Sequence, residues 1–115
     1  MSDKEICAIT GGTSGLGEGF VERFAKDGYQ VVFCGRNEQS GAAIAERTGA
    51  TYIKVDVTKA SDVESFFEQI KAKFGKLDVL INNAGVISNV GRQADIPIEE
   101  YLKIMGQFLI NLKFF

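Results

Sequence analysis

Two hydrophobic patterns alternate along this chain. Short continuous apolar runs are separated by longer stretches in which apolar positions recur every three or four residues. Ile6-Cys7-Ala8-Ile9 is the first run, with charge before it and Gly after it, which fits a strand buried on both faces. Leu16, Phe20, Val21, Phe24 and Ala25 follow at helical spacing, and Gly28 supplies a left-handed cap. Val31 to Cys34 reads as a second strand ended by Gly35. Ala42 to Arg47 predicts a short helix closed by Gly49, and Tyr52 to Val55 a third strand. Ser61-Asp62-Val63-Glu64 has the form of a capping box. The helix it opens carries Val63, Phe66, Phe67, Ile70 and Phe74 on one face and stops at Gly75. Leu77 to Ile81 predicts a fourth strand. Pro97 then stands in the first turn of a last helix with Ile98, Leu102 and Met105.

Strands and helices therefore alternate. Fully apolar strands joined by helical crossovers imply an α/β fold, with a parallel sheet covered by helices on both faces. No linker or low-complexity segment divides the chain, and 115 residues suffice for one domain.

Composition narrows the function. Thirteen basic residues against fifteen acidic ones leave a net charge of −2, with no basic face for nucleic acid. The apolar runs fall short of the roughly 20 residues a membrane helix needs. The charged start, Met1 to Glu5, is unlike a signal peptide, so the expected location is cytoplasmic. No His is present, which removes His general bases and His-ligated zinc. Cys7 and Cys34 have no metal-ligand spacing and read as buried free thiols.

The informative chemistry lies where the first strand ends: Thr10-Gly11-Gly12-Thr13-Ser14-Gly15-Leu16-Gly17, with a helix beginning inside it. A glycine turn of this kind lets the backbone approach a pyrophosphate, which meets free N–H groups at the helix N-terminus. The spacing is not G-x-G-x-x-G, and no Lys-Ser/Thr follows as an ATP-binding loop requires. The pattern is T-G-x-x-x-G-x-G. With Asn82-Asn83-Ala84-Gly85 after the fourth strand and Asp56-Val57 after the third, the sequence closely resembles the short-chain dehydrogenase/reductase family over residues 6 to about 105. The resemblance implies a Rossmann-like three-layer parallel sheet, here incomplete with about four strands. It also implies an oxidoreductase acting on an alcohol or carbonyl substrate. Gly11 and the backbone of Thr13, Ser14, Gly15, Leu16 and Gly17 would line the pyrophosphate and adenosine ribose. Asp56 would accept from the adenine amine with Val57 packed nearby, or it could simply form a turn before Thr58. Asn83, Ala84 and Gly85 would run towards the nicotinamide ribose, and Thr10 and Asn82 would tie strands one and four together.

Charge argues for the cofactor. An NAD site places an acid after the second strand, whereas an NADP site provides an Arg for the 2′-phosphate. Here the strand ends Cys34-Gly35-Arg36-Asn37, so NADP(H) is favoured over NAD(H), with a solvated surface Arg as the alternative. The family's catalytic Tyr-x-x-x-Lys is missing: four residues beyond Tyr29, Tyr52 and Tyr101 stand Phe33, Asp56 and Met105. Asn111 could stand for the family's helix Asn, which helps hold a proton-relay water. Alternatively, residues 106–115 form an altered tail. The expectation is thus a partial NADP(H)-binding domain over 1–115, the cofactor-binding half of an oxidoreductase. The alternatives are a non-catalytic nucleotide-binding or interaction fragment and a degenerate piece. Strand four would be left as a sheet edge, a route to self-association or a homo-oligomer.

Overall fold

The computed structural model describes residues 4–13, 15–56, 59–83 and 113–114. The chain builds β1 (Ile6–Thr10), α1 (Gly15–Lys26), β2 (Gln30–Gly35), α2 (Glu38–Thr48), β3 (Thr51–Lys54), α3 (Ala60–Phe74), β4 (Val79–Asn82) and β5 (Lys113–Phe114). The strands form one sheet in the order β3-β2-β1-β4-β5, and every neighbouring pair is parallel.

Strand alternation divides the core in two. Ile6, Ala8, Val32, Cys34 and Leu80 face α3, where Val63, Phe66, Phe67 and Ile70 complete the cluster. Cys7, Ile9, Val31, Phe33, Val79 and Ile81 face the other way, against Val21 of α1 and Ile44 of α2. The unbroken apolar runs are needed because both faces of the central strands are covered. Asp78 sets the register at the strand starts: its Oδ2 accepts from Ile6 N at 2.8 Å and its N–H donates to Ile6 O at 2.9 Å.

The helix stops match the glycine punctuation. Gly28, Gly49 and Gly75 adopt φ of +97°, +81° and +79°. The helix starts differ from the sequence pattern. α2 begins at Glu38, four residues before the predicted start, because Asn37 caps it: its Oδ1 accepts from Ser40 N at 3.0 Å. The capping box at Ser61 does not form. α3 starts at Ala60 after Lys59, whose side chain makes no cap bond, and Asp62 Oδ2 instead accepts from Asp56 N at 2.9 Å. That carboxylate ties the start of α3 to the segment just beyond the preceding strand rather than capping the helix.

The four strands β1 to β4 form the expected parallel sheet, and a two-residue strand is added beside β4. β5 pairs with β4, Val79 opposite Lys113 and Leu80 opposite Phe114. An edge strand offers a row of unpaired N–H and C=O groups, and a short extended segment suffices to use them. Along these two residues the outer edge of β4 is paired within the chain. The predicted last helix around Pro97 lies outside the described residues.

Burial pushes the thiols of Cys7 and Cys34 up to about 12, with the Gly11 N–H pulling Cys34 slightly back. The folded state keeps both protonated while an unfolded thiol ionises near pH ~8.5. Stability is therefore full below that value and falls as pH rises towards 12, by about 1.4 kcal/mol per pH unit for each thiol. Urea midpoints measured from pH 8 to 11 should decline, and Cys7→Ala with Cys34→Ala should flatten the decline. In the core, Phe66 is fully buried with its ring centroid 5.2 Å from that of Phe67. Phe66→Ala should cost about 3–5 kcal/mol in denaturant unfolding.

Candidate functional site

The chain leaves β1 at Thr10 and turns through Gly11, Gly12 and Thr13 into α1. Gly11 and Gly15 adopt φ of +69° and +56°, the left-handed region that favours glycine. The turn is pressed against three neighbours. A Cβ on Gly17 would lie 1.8 Å from Gly11 O, so α1 packs directly on the turn's backbone. A Cβ on Gly12 would come 2.9 Å from Phe33, and Gly12 N donates to Cys34 O at 3.0 Å. A Cβ on Gly35 would meet Thr13 Cγ2 at 2.6 Å, so Thr13 lies over the end of β2. These contacts place the first turn of α1, with its unpaired N–H groups and positive dipole end, at the C-terminal ends of the strands.

The fourth strand completes the arrangement. Asn83 directly follows β4 and is buried, and its Nδ2 donates to Gly11 O at 3.0 Å. Thr10, also buried, donates from Oγ1 to Ile81 O at 3.5 Å. The expected tie between β1 and β4 is present in the ladder, where Thr10 pairs with Asn82, and the Thr10 hydroxyl and the Asn83 amide add to it. The strand order reverses between β1 and β4, and open α/β sheets bind ligands in the crevice at such a switch point.

Charge around the turn is organised by two arginines. Arg36 follows β2, is exposed, and has no hydrogen-bond or ion-pair partner among the described residues. Glu38, the first acid after it, is exposed in the first turn of α2. Arg47 on α2 reaches α1, with Nη2 2.7 Å from Glu18 and Nη1 bonded to Glu22. Those carboxylates, Glu22 first, hold its guanidinium above its ordinary range. The pairing offsets the Glu18 charge in the first turn of α1, where an anion would otherwise be repelled.

Of the sequence-predicted site residues, Gly11, Thr13, Gly15, Leu16, Gly17, Arg36, Asp56 and Asn83 are described, and all lie at or just beyond the C-terminal ends of β1 to β4. Ser14, Val57, Ala84, Gly85 and Asn111 lie outside the described residues. Leu16 does not join the apolar face of α1; it is 67% exposed beside the turn. Asp56 is half-buried, and its carbonyl accepts from Lys59 N at 2.9 Å. Sequence reasoning missed the close approaches at Gly12, Gly35 and Gly41, and also the Tyr52 Oη bond to Gly35 O at 2.7 Å. Among the described residues, no cluster of His, Cys, Asp or Glu could hold a metal ion, and no helix is long and apolar enough to cross a membrane.

A parallel α/β sheet with a glycine turn at its switch point is the architecture of dinucleotide-binding proteins. The model of the family described as short chain dehydrogenase matches residues 5–113, and the chain belongs to that family. It is 36% identical over 108 residues to a 3beta-hydroxysteroid dehydrogenase of Mediterraneibacter gnavus, covering 90% of this chain and 39% of the relative. It is 34% identical over 110 residues to tropinone reductase-like 1 of Erythroxylum coca, covering 94% and 40%. The chain thus spans well under half the length of these curated relatives. Among solved structures, it resembles a 3-ketoacyl-(acyl-carrier-protein) reductase from Brucella melitensis complexed with NADH. That match has a TM-score of 0.77 at 28% identity and covers 93% of this chain and 51% of the other.

Two glycines of α1 separate packing from propensity. Gly17→Ala should drive the helix off the turn, costing about 1–3 kcal/mol. Gly19 has nothing within 4 Å of its added Cβ. Gly19→Ala should instead stabilise by about 0.5–1 kcal/mol. Denaturant unfolding of the two variants checks both halves of the contrast.

Proposed function

We propose that this chain is the NADP(H)-binding half of a short-chain dehydrogenase that interconverts an alcohol and a carbonyl compound in the cytoplasm. The observation that carries the cofactor choice is Arg36, exposed at the end of β2 where an NAD site would place an acid. A guanidinium suits the paired oxygens of a 2′-phosphate. The names of the relatives, a dehydrogenase and a reductase, support alcohol/carbonyl chemistry.

The residues fit a dinucleotide. The glycine turn keeps side chains away from the strand ends, and the spaces at Gly12 and Gly17 are already filled by neighbours, so the turn is rigid. In this reading the backbone from Gly11 to Gly17, Ser14 included, lines the pyrophosphate, with exposed Leu16 at its side. Asp56 accepts from the adenine amine next to Val57. Asn83 acts through Gly11 O, fixing the turn, while Ala84 and Gly85 run along the nicotinamide ribose. Asn111 holds a relay water. The bound dinucleotide supplies or takes the hydride. The matching proton is handled by a Tyr-x-x-x-Lys pair that these 115 residues do not contain, so the chain by itself should show no turnover.

Titration with NADPH and NADH, followed by nicotinamide fluorescence, tests the reading. A charge-assisted contact worth about 1.5–3 kcal/mol predicts roughly 10- to 100-fold tighter binding of NADPH. Arg36→Ala should remove the preference and Arg36→Asp reverse it. Equal affinity of the parent chain for both cofactors would overturn the NADP(H) assignment.

A further inference from the structure

Tyr52 lies on β3, away from the glycine turn, yet its hydroxyl reaches the end of β2. Its Oη donates to Gly35 O at 2.7 Å across 17 residues of sequence. The ring has little freedom. One side faces Gly41 of α2, where an added Cβ would come 2.4 Å from Tyr52 Cε1. Its centroid also lies 5.3 Å from that of Phe33 on β2. A phenol wedged between a helix and a strand, with its polar tip on one carbonyl, is a fixed strut.

The carbonyl it holds is the one that leads into Arg36. Gly35 O also accepts from Val55 N at 2.9 Å, and because a peptide group is planar, the two bonds together constrain the N and Cα of Arg36. Gly35 has no side chain to restrict its own rotation, and on its other side stands Thr13. Arg36 has no side-chain partner among the described residues, and its backbone sets the direction in which its Cα–Cβ bond leaves the chain. On the far side that backbone is anchored by Asn37, which caps α2 through Ser40 N. Held at both ends, the Arg36 backbone gives its Cα–Cβ bond one direction.

We propose that Tyr52 is a positioning residue whose bond to Gly35 O aims Arg36 at the 2′ position of the adenosine ribose and so sets the discrimination between phosphorylated and unphosphorylated cofactor. The inference rests on the reading of Arg36 as the 2′-phosphate contact. It goes beyond that reading by assigning selectivity to a residue of β3 that touches no ligand.

Tyr52→Phe isolates the bond. The ring keeps its place between Gly41 and Phe33, and Gly35 O keeps its bond from Val55 N at 2.9 Å, so the sheet pairing survives. The probes are adenosine 2′,5′-bisphosphate and AMP, which share the adenosine 5′-phosphate and differ only at the 2′ position. Their dissociation constants are measured calorimetrically for the parent chain, Tyr52→Phe, Arg36→Ala and the double variant. The proposal expects the parent to favour the bisphosphate and Tyr52→Phe to lower that preference by about five- to tenfold, mainly through weaker bisphosphate binding. In the Arg36→Ala background, Tyr52→Phe should change the ratio no further. A merely structural role would weaken both probes in proportion; that result, or an unchanged ratio, overturns the proposal. A parent chain with no preference would instead overturn the reading of Arg36 itself, and the role of Tyr52 with it.

Discussion

One backbone carbonyl joins the elements that build the site. Gly11 O accepts the Asn83 amide at 3.0 Å and lies where any side chain on Gly17 would have to be. β1, α1 and the segment after β4 therefore meet at a single oxygen. Gly11 needs φ of +69° to aim its carbonyl this way, and Gly17 needs to be bare to let the helix approach. If either glycine acquires a side chain, the helix dipole no longer lies at the strand ends. The buried Asn83 side chain has its own need for this bond, since a buried amide left without a partner would be costly.

The sheet beneath is built to hold that node still. The strands alternate their side chains between two aromatic-rich clusters, so neither helical layer can shift without opening a cavity in one of them. α1 and α2 share one face and are also linked at the surface by Arg47 with Glu18 and Glu22. These side chains are about half exposed, so the link contributes little to stability. Its larger effect is on local charge, because it covers the one acid in the first turn of α1.

Element order, the glycine stops and the glycine turn were legible because they depend on local chemistry: apolar period, positive φ and the strand-turn-helix setting. What escaped the sequence was set by partners distant along the chain. Ser61 has the pattern of a cap, but the helix starts one residue before it and Asp62 accepts from the Asp56 N–H. Asn37 caps α2 from a position whose polar neighbours hid the signal. Leu16 fits the helical apolar period, yet the helix begins so close to the strand end that no core lies beneath it. Gly41 carries no turn signal at all, because its requirement comes from the ring of Tyr52 on another strand. β5 was hidden for a similar reason: two residues 34 or more positions from their partners have no local pattern to read.

The division between backbone and side chain also explains why this part of the chain matches relatives named for such different compounds. The turn is held through carbonyls, N–H groups and missing Cβ atoms, which many sequences can supply. A steroid dehydrogenase and a tropinone reductase-like protein can each share about a third of these residues while keeping such a frame. Selectivity must then arise where side chains extend beyond the frame. Among the described residues at the strand ends, Arg36 and Leu16 are the exposed candidates for it. One brings charge and the other apolar surface, on either side of a turn that itself contributes almost none. Substitutions at these two positions can therefore change what the strand ends present without disturbing the carbonyls and N–H groups that hold the turn.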